Sequence, residues 1–330
     1  MGRFYLEIIF GLPEFRCTSI WKSRPWDRES TEFALRLFPG ALLTNDIEKA
    51  LTHPTVQAAI ICSATPLHFE HIAACVRREK AIFCEKPLST NLKTGRQICR
   101  LVKETGTFCM VGFHRRQDDG WMRLRSAVRD GSLGRIQCVQ IVARDRQPGS
   151  PRYVAESGGL FMDMMIHDFD ALRFVTGVEV KEVTATGGCL VDRMFAEHGD
   201  IDTAVVTLTM RDGTIATLSA CRQAVYGQDS RAEILGTNGM MQLENKRVNS
   251  CTQWSTDGPT HHDGIYQHYL SRFADAYRRE MRVFADCILN GKQSPCTADD
   301  ALAASVLAIV AKKSLDERQT IALDDVTFDD

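Results

Sequence analysis

Strand-like and helix-like segments alternate through the first 113 residues, and this alternation limits the fold more than any other feature of the sequence. The strand-like runs, which are short and apolar, are FRCTSIW, VQAAIICSA, AIFC and TFCMVGF. The segments DRESTEFALRLF, HFEHIAACVRR and LKTGRQICRLVKETG have the spacing of helices. The alternation predicts a doubly wound, mostly parallel α/β sheet.

The pattern changes near residue 134. Longer, alternating strands follow: RIQCVQIVAR, VKEVTATGGCLV, DTAVVTLTM, TIATLSACRQ and RAEILGTNGMMQLEN. Turn residues at 211–213 and 237–239 predict hairpins, and GLFMDMMIHDFDALRFVTG is a helix among these strands. We therefore predict an α/β domain over residues 1–115 and an α+β domain with an open, mostly antiparallel sheet over residues 116–330.

Composition excludes several classes of protein. Forty basic and 42 acidic side chains give a net charge of -2 without a basic run, which excludes a nucleic-acid or anionic-membrane partner. The apolar runs are too short to span a bilayer. Twelve cysteines are scattered without a CxxC pair, which predicts reduced thiols in a cytoplasmic protein rather than a disulfide framework or a zinc site.

Two predicted strand ends carry residues suited to a ligand. Ser63, Thr65 and Pro66 follow VQAAIIC, and small residues at a strand end allow close approach of a cofactor. The alternative is an ordinary strand-to-helix connection. Glu85 and Lys86 follow AIFC, where a lysine in a cleft could polarise a substrate oxygen. The alternative there is a solvated surface lysine.

The helix SGGLFMDMMIHDFDALRF carries the third motif. Asp163 and His167 are four residues apart and share a helix face, with Asp170 near the same stripe. Histidine beside a carboxylate is a usable general acid–base pair, although a structural histidine held by a carboxylate is the alternative. Zinc needs at least three protein ligands, and His261 and His262 lie in a predicted polar loop without a partner, so no metal site is expected.

Together these motifs resemble the glucose–fructose oxidoreductase / inositol 2-dehydrogenase family. The segments ATPLHFEH, EKPLS, VGFHRRQD and GGLFMDMMIHDFD occur in the family's order, and the similarity spans about residues 14–325. FCEKPLST and VGFHRRQDDGW are most similar to inositol 2-dehydrogenases. The resemblance implies a Rossmann-like first domain, hydride transfer between NAD or NADP and a secondary hydroxyl of a cyclic polyol or sugar, and a homo-dimer or homo-tetramer.

The resemblance also implies roles for individual residues. Lys86, Asp163 and His167 form the catalytic set, in which His167 accepts the hydroxyl proton while Lys86 and Asp163 orient the hydroxyl. The residues expected to line the cofactor are Ser63, Thr65, Pro66, His68, Glu85 and Lys86. Those expected to face the substrate are Arg115, Arg116, Gln147 and Tyr277.

The N-terminal stretch departs from the family. Members begin with a strand and a GxGxxG turn, whereas this sequence offers Gly11 followed by Leu12 and Pro13. We expect YLEIIFGLPEF to match the end of the first helix and the loop after it, with the first strand and the glycine turn missing. A catalytically weak or silent family member, acting as a binding or regulatory protein, is therefore the alternative function. A dihydrodiol or biliverdin-like substrate is a further alternative.

The end of FRCTSIW bears on the choice of cofactor. NAD enzymes of this architecture usually place an acidic residue there for the ribose hydroxyls. This sequence has Lys22, Ser23 and Arg24 instead, and two cations with a hydroxyl suit the 2′-phosphate of NADP. The residues predict that NADP is favoured over NAD, with ordinary loop charges as the alternative.

Overall fold

The structure is a computed structural model that describes residues 1–256 and 258–326 and, within the strand at residues 258–262, the backbone alone beyond residue 258. The described residues form two units. Residues 1–114 and 275–303 form the first unit, and residues 115–274 with the described part of the segment from 304 onward form the second. The sequence predicts that residues 275–303 belong to the second domain. The structure groups them with the first unit, through long-range packing that local sequence patterns do not encode.

The first unit alternates helices and strands, as the sequence predicts. Its elements are α1 (Gly2–Phe10), β1 (Ser19–Trp21), α2 (Arg28–Leu37), β2 (Leu42–Thr44), α3 (Ile47–Leu51), β3 (Ala58–Ile61), α4 (His68–Arg77), β4 (Ala81–Glu85), α5 (Leu92–Thr105) and β5 (Cys109–Gly112). Side chains fix several helix starts, since Asp27 accepts the Ser30 amide and Asn91 accepts the Thr94 amide. Gly106, at φ 65°, ends α5 in the left-handed conformation that glycine permits.

All strand pairs of the first unit are parallel, which confirms the Rossmann-like class. β1 pairs with β2, and β3 pairs with β4, which pairs with β5. Among the described residues these form two separate sheets, of two and three strands. The carboxyl ends of β3, β4 and β5 lie at one edge of their sheet, where open α/β sheets bind ligands.

The second unit contains a seven-stranded sheet. The elements before residue 230 are α6 (Asp119–Arg129), β6 (Ile136–Arg144), α7 (Pro151–Glu156), α8 (Ile166–Thr176), β7 (Val180–Gly188), α9 (Arg193–Glu197), β8 (Thr203–Met210), β9 (Ile215–Cys221) and β10 (Asp229–Gly236). They are followed by β11 (Gly239–Leu243), β12 (Thr252–Ser255), β13 (Gly258–His262), α10 (Tyr269–Arg272), α11 (Ala274–Leu289), α12 (Ala298–Glu317) and β14 (Ile321–Ala322). Of these, residues 275–289 of α11 and the start of α12, up to residue 303, belong to the first unit.

The strand order of the large sheet is β11-β10-β6-β9-β8-β7-β14. The predicted hairpins β8–β9 and β10–β11 are present, and β6 pairs with β9 in parallel while the other pairs are antiparallel. Burial alternates along the strands, with Val206, Leu208 and Leu218 on the covered face. The predicted loop at His261 and His262 is wrong, because both residues pair with β12 as the end of β13; their side chains lie outside the described residues.

Three further observations concern membrane-spanning helices, metal sites and disulfides. Within residues 1–256 and 258–326, no helix is long and apolar enough to cross a membrane. Among the side chains that the structure describes, no group of three or more His, Cys, Asp or Glu could hold a metal ion. The twelve cysteines, all within the described ranges, form no disulfide.

Asp202 is a buried carboxylate that organises the loop after β7. It accepts the backbone amides of Leu190, Val191 and Asp192 at 2.8–3.0 Å and the Thr203 hydroxyl at 2.8 Å. Burial alone would raise the pKa of Asp202, but these hydrogen bonds together lower it below its ordinary value. Because the folded pKa is depressed, this contribution to stability is present above the unfolded pKa and is lost as pH falls through the folded pKa.

We therefore expect Asp202→Ala to lower the free energy of unfolding by about 3 kcal/mol at neutral pH, because three backbone amides and the Thr203 hydroxyl lose their acceptor. The difference from wild type should shrink as the pH falls from about 4 to 2. Urea unfolding across this pH range measures both effects. Asp316→Asn, at an exposed position of α12, is the control. An Asp202→Ala difference that does not change with pH would contradict the assignment.

Candidate functional site

In the first unit, the candidate cofactor residues lie at the carboxyl ends of β3 and β4. Ser63 follows β3, and a 3₁₀ turn over Thr65–Leu67 leads into α4. His68 is buried and joins the two strand ends, since its Nε2 lies 3.1 Å from the Ser63 carbonyl oxygen and its Nδ1 lies 3.0 Å from that of Pro87. Burial lowers the pKa of His68, while the hydrogen bonds to the carbonyl oxygens of Ser63 and Pro87 act in the opposite direction.

Glu85 is buried at the end of β4 and fixes the backbone of Lys86. Its Oε2 accepts the Lys86 amide at 3.0 Å, and its Oε1 accepts the Tyr5 hydroxyl at 2.6 Å. Burial raises the pKa of Glu85, while the Tyr5 hydrogen bond and the Lys86 charge act in the opposite direction. Lys86 itself is half-buried, and the peptide bond to Pro87 is cis.

The first unit fits a dinucleotide at this edge. Tyr5, in α1, reaches Glu85 from the first half of its helix, so the start of α1 lies near the carboxyl end of β4. The carboxyl edge of a parallel sheet is where open α/β sheets bind nucleotides.

The loop after β1 carries the predicted 2′-phosphate residues. Lys22 Nζ binds Asp27 Oδ2 at 2.7 Å and the Ser30 hydroxyl at 2.9 Å. Ser23 and Arg24 are exposed. Asn45 donates to the carbonyl oxygens of Lys22 and Arg24 at 2.7 and 2.6 Å and fixes the course of the loop. The charge of Lys22 is thus shared with Asp27, whereas the guanidinium of Arg24 lies at the surface.

In the second unit, Asp163 and His167 lie on a helix that begins with a π turn. Residues Phe161–Met165 have π geometry and lead directly into α8, which contains His167. The sequence predicts an uninterrupted helix here. Asp163 is buried and His167 is half-buried. Single π turns within helices are rare. Those that occur are found frequently at functional sites, because the wide turn reorients side chains.

Asp163 is held by two side chains that sequence reasoning missed. The Tyr153 hydroxyl lies 2.8 Å from both carboxylate oxygens, and Arg222 Nη1 donates to Oδ2 at 2.9 Å. Arg222 is buried and also lies 3.6 Å from Asp145. Burial, followed by the charge of Asp163 and its hydrogen bond, raises the pKa of Tyr153, which therefore remains a neutral donor.

The parallel pairing of β6 and β9 explains this cluster. Arg144 lies opposite Cys221 at the ends of the two strands, so the next residues, Asp145 and Arg222, emerge side by side. The signal in the sequence is a charged residue directly after each of two strands. This signal does not identify the cluster from the sequence alone, because alternating strands joined by hairpin signals predict antiparallel neighbours.

Replacing Arg222 by methionine should change the pH profile of catalysis. Arg222 Nη1 lies 2.9 Å from Asp163 Oδ2, so loss of this positive charge should move the acidic limb of the kcat/KM profile to higher pH. We expect kcat/KM at neutral pH to fall by about 10²-fold. Tyr153→Phe, which removes a neutral donor, is the comparison and should shift the acidic limb of the kcat/KM profile less. An unchanged limb in Arg222→Met would contradict this role.

The other predicted substrate residues are placed as follows. Arg115 and Arg116 are buried in the second unit, where Arg115 binds Asp168 and Arg116 makes a bidentate pair with Asp170. Burial raises the pKa of Asp168, and Arg115 opposes this. The remaining two are Tyr277, which is buried in the first unit and stacked on His114 at 4.4 Å, and Gln147, which is exposed after β6. Their substrate roles stay predictions.

Two family models match separate parts of the chain. Residues 3–113 match the model described as "Oxidoreductase family, NAD-binding Rossmann fold". Residues 121–242 match the "GFO/IDH/MocA C-terminal domain".

Individual relatives are similar over most of their length. An uncharacterised oxidoreductase, YrbE, of Bacillus subtilis is 40% identical over 83% of this chain and 80% of its own. A myo-inositol 2-dehydrogenase of Thermotoga maritima is 36% identical over 85% and 84%.

Solved structures agree with these relatives. A probable dehydrogenase from Thermotoga maritima has a TM-score of 0.93 at 33% identity, covering 98% of this chain and 97% of its own. A scyllo-inositol dehydrogenase from Lactobacillus casei, solved with NAD(H) and scyllo-inositol, has a TM-score of 0.89 at 25% identity, covering 98% and 96%. The family resemblance of the motifs is thereby confirmed. The chain belongs to the GFO/IDH/MocA oxidoreductase family and is an NAD-dependent dehydrogenase.

Proposed function

We propose that this dehydrogenase oxidises a secondary hydroxyl of a cyclic polyol of the inositol type. The observation that carries the proposal is the helix with the π turn, which presents a half-buried His167 and an Asp163 held by Tyr153 and Arg222. Relatives named as inositol dehydrogenases support the substrate class. None of the similar proteins supports the alternative of a silent binding protein.

In the proposed chemistry, three side chains have separate roles. NAD supplies the acceptor for the hydride. His167 accepts the proton of the hydroxyl that is oxidised, a step that needs a base with a pKa near neutrality. Lys86, whose backbone is fixed by Glu85, places a positive charge beside the oxygen that becomes a carbonyl. Asp163 orients the same hydroxyl.

The surroundings of Asp163 suit a substrate with many hydroxyls. Asp145, Tyr153, Asp163 and Arg222 offer donors and acceptors within one small region. Gln228 extends this region, because its Nε2 lies 3.2 Å from Asp145 Oδ1. A site built from such paired polar groups discriminates strongly against analogues that lack a hydroxyl, since a buried partner is then left unpaired.

A substrate panel tests the proposal. The purified chain is assayed with NAD against myo-inositol, scyllo-inositol, glucose, the acyclic polyol sorbitol and an aromatic dihydrodiol, and reduced cofactor is followed by absorbance. We expect kcat/KM for an inositol to exceed that for sorbitol by at least about 10²-fold. Turnover of an aromatic dihydrodiol without turnover of any inositol or hexose would contradict the proposed substrate class.

The choice between NAD and NADP is a finer part of the proposal. We propose that NADP is also accepted, through the exposed Arg24 and to a smaller extent through Lys22, which already binds Asp27. Arg24→Ala should weaken NADPH binding by about tenfold and change NADH binding by less than about twofold, as measured by fluorescence titration. Equal effects on the two cofactors would contradict a contact with the 2′-phosphate.

We also propose that the protein is a homo-dimer or homo-tetramer assembled through the uncovered face of the seven-stranded sheet. That face exposes four large apolar side chains: Val205, Ile215, Leu235 and Met240. An apolar area of this kind on a sheet face marks an interface. Light scattering of the wild type and of Val205→Glu tests this, and a monomeric wild type would contradict it.

A further inference from the structure

A buried hydroxyl connects three distant segments of the first unit. Tyr5 of α1 lies between the carboxylates of Glu85, at the end of β4, and Glu280, in α11. All three side chains are buried. The Tyr5 hydroxyl oxygen lies 2.6 Å from Glu85 Oε1 and 3.3 Å from Glu280 Oε2. A hydroxyl has one proton to donate, so the nearer carboxylate, that of Glu85, accepts it.

The surroundings of Tyr5 keep it a hydrogen-bond donor. Burial raises the pKa of the Tyr5 hydroxyl well above its ordinary value, and the carboxylates of Glu85 and Glu280 raise it further. Because the ordinary pKa of tyrosine is already about 10, Tyr5 keeps its proton at neutral pH. It therefore donates to Glu85 under the conditions in which a dehydrogenase is assayed.

Aromatic packing fixes the ring that carries this hydroxyl. The Tyr5 ring lies edge-on to Phe83 of β4, at a centroid distance of 5.4 Å, and edge-on to Tyr277 of α11, at 6.0 Å. Phe4 also lies edge-on to Tyr277, at 5.0 Å. Edge-to-face contacts of this kind are favourable in themselves. A phenylalanine at position 5 would keep them, so the hydroxyl can be removed without removing the packing.

Gly112 provides the space for the Glu85 carboxylate. Glu85 and Gly112 are paired residues of the parallel strands β4 and β5. A Cβ atom at Gly112 would lie 3.4 Å from the carboxyl carbon of Glu85 and 2.9 Å from Cζ of Phe83. The carboxylate thus lies in a close-fitting position, with β5 on one side and the Tyr5 hydroxyl in contact with Oε1.

We propose that Tyr5 is a positioning residue for Lys86, an inference that rests on the proposed role of Lys86 in the reaction. The Tyr5 hydroxyl holds Oε1 of Glu85, and Oε2 of the same carboxylate accepts the Lys86 amide at 3.0 Å. The two oxygens of a carboxylate cannot move independently, so holding one of them also holds the other. The backbone of Lys86 is then fixed at the carboxyl end of β4, and a charge that acts on a reacting oxygen has to be held in place in this way.

Amide exchange tests the contact without any turnover. Tyr5→Phe removes the hydroxyl and keeps the ring, so exchange at the Lys86 amide should become about tenfold faster. Exchange in β5 should stay the same, which separates a local change from a general loss of stability. Tyr266→Phe, in the second unit, is the control and should leave exchange at Lys86 unchanged. Unchanged exchange at Lys86 in folded Tyr5→Phe would overturn the proposal.

Steady-state kinetics with an inositol test the consequence for catalysis. Tyr5→Phe should lower kcat about tenfold and change the KM values for NAD and the inositol by less than about twofold, because a misplaced charge acts on the transition state. In a Glu85→Met background, the same substitution should lower kcat by less than about twofold, because the residue through which Tyr5 acts is absent.

The outcomes separate this proposal from the proposed function. Equal effects of Tyr5→Phe on kcat in the two backgrounds would overturn the positioning role. So would a loss of kcat/KM that comes entirely from a higher KM. A wild type that turns over no inositol would contradict the proposed function instead, and exchange at the Lys86 amide would then decide whether Tyr5 holds this backbone.

Discussion

Replacing His167 by alanine is expected to lower kcat by about 10²–10⁴-fold, because the base that accepts the hydroxyl proton is lost. NAD binding should change by less than about twofold, since the predicted cofactor residues belong to the first unit and His167 belongs to the second. Steady-state rates with an inositol, together with an NADH fluorescence titration, measure the two effects separately.

The control for this variant is His198→Ala. His198 is exposed after α9, and its replacement should leave both kcat and NADH affinity unchanged. A His167→Ala variant that keeps full kcat would show that the proton is accepted elsewhere. A variant that loses NADH binding and kcat together would show that His167 acts through the structure of the site.

Replacing Asp170 by alanine is expected to lower the free energy of unfolding by about 3–5 kcal/mol, the largest effect on stability that the structure predicts. Asp170 and Arg116 are both buried, and Arg116 Nε and Nη2 bind the carboxylate at 2.6–3.1 Å. The substitution removes the carboxylate that this buried guanidinium binds in a bidentate manner. Urea unfolding measures the change.

Two further variants test whether the lost stability comes from the buried charge of Arg116. The double variant Arg116→Met, Asp170→Leu removes both charges and should recover most of the lost stability, because buried pairs can be replaced by apolar residues of similar volume. Glu32→Ala breaks the exposed pair with Arg28 and should change stability by about 0.5 kcal/mol or less. A double variant as unstable as Asp170→Ala would contradict this account.

The fold could be predicted wherever the sequence pattern is local. The alternation of apolar runs and helices in the first unit indicated most of its elements, and turn residues indicated the hairpins β8–β9 and β10–β11. The parallel pairing of β6 with β9 and the packing of residues 275–303 with the first unit were not predictable. Both depend on contacts between distant segments, and local hydrophobic periodicity carries no information on them.

The same limit applies to the candidate site, where local spacing was predictable and tertiary contacts were not. Asp163 and His167 were identified from their spacing, whereas Tyr153 and Arg222 reach Asp163 only through the tertiary structure. The π turn at Phe161–Met165 could not be inferred, because its residues have ordinary helical propensity. The sequence treated Glu85 only as a residue that lines the cofactor, but its carboxylate also binds Tyr5 and the Lys86 amide within the first unit.

The central claim is that a hydride moves from a cyclic polyol to NAD on this protein. The direct measurement uses inositol deuterated at its carbinol carbons, with mass spectrometry of the reduced cofactor. The account predicts deuterium in NADH, at a rate that falls in His167→Ala by the same factor as kcat. Folded protein that binds NADH but yields no deuterated cofactor from any inositol would contradict it.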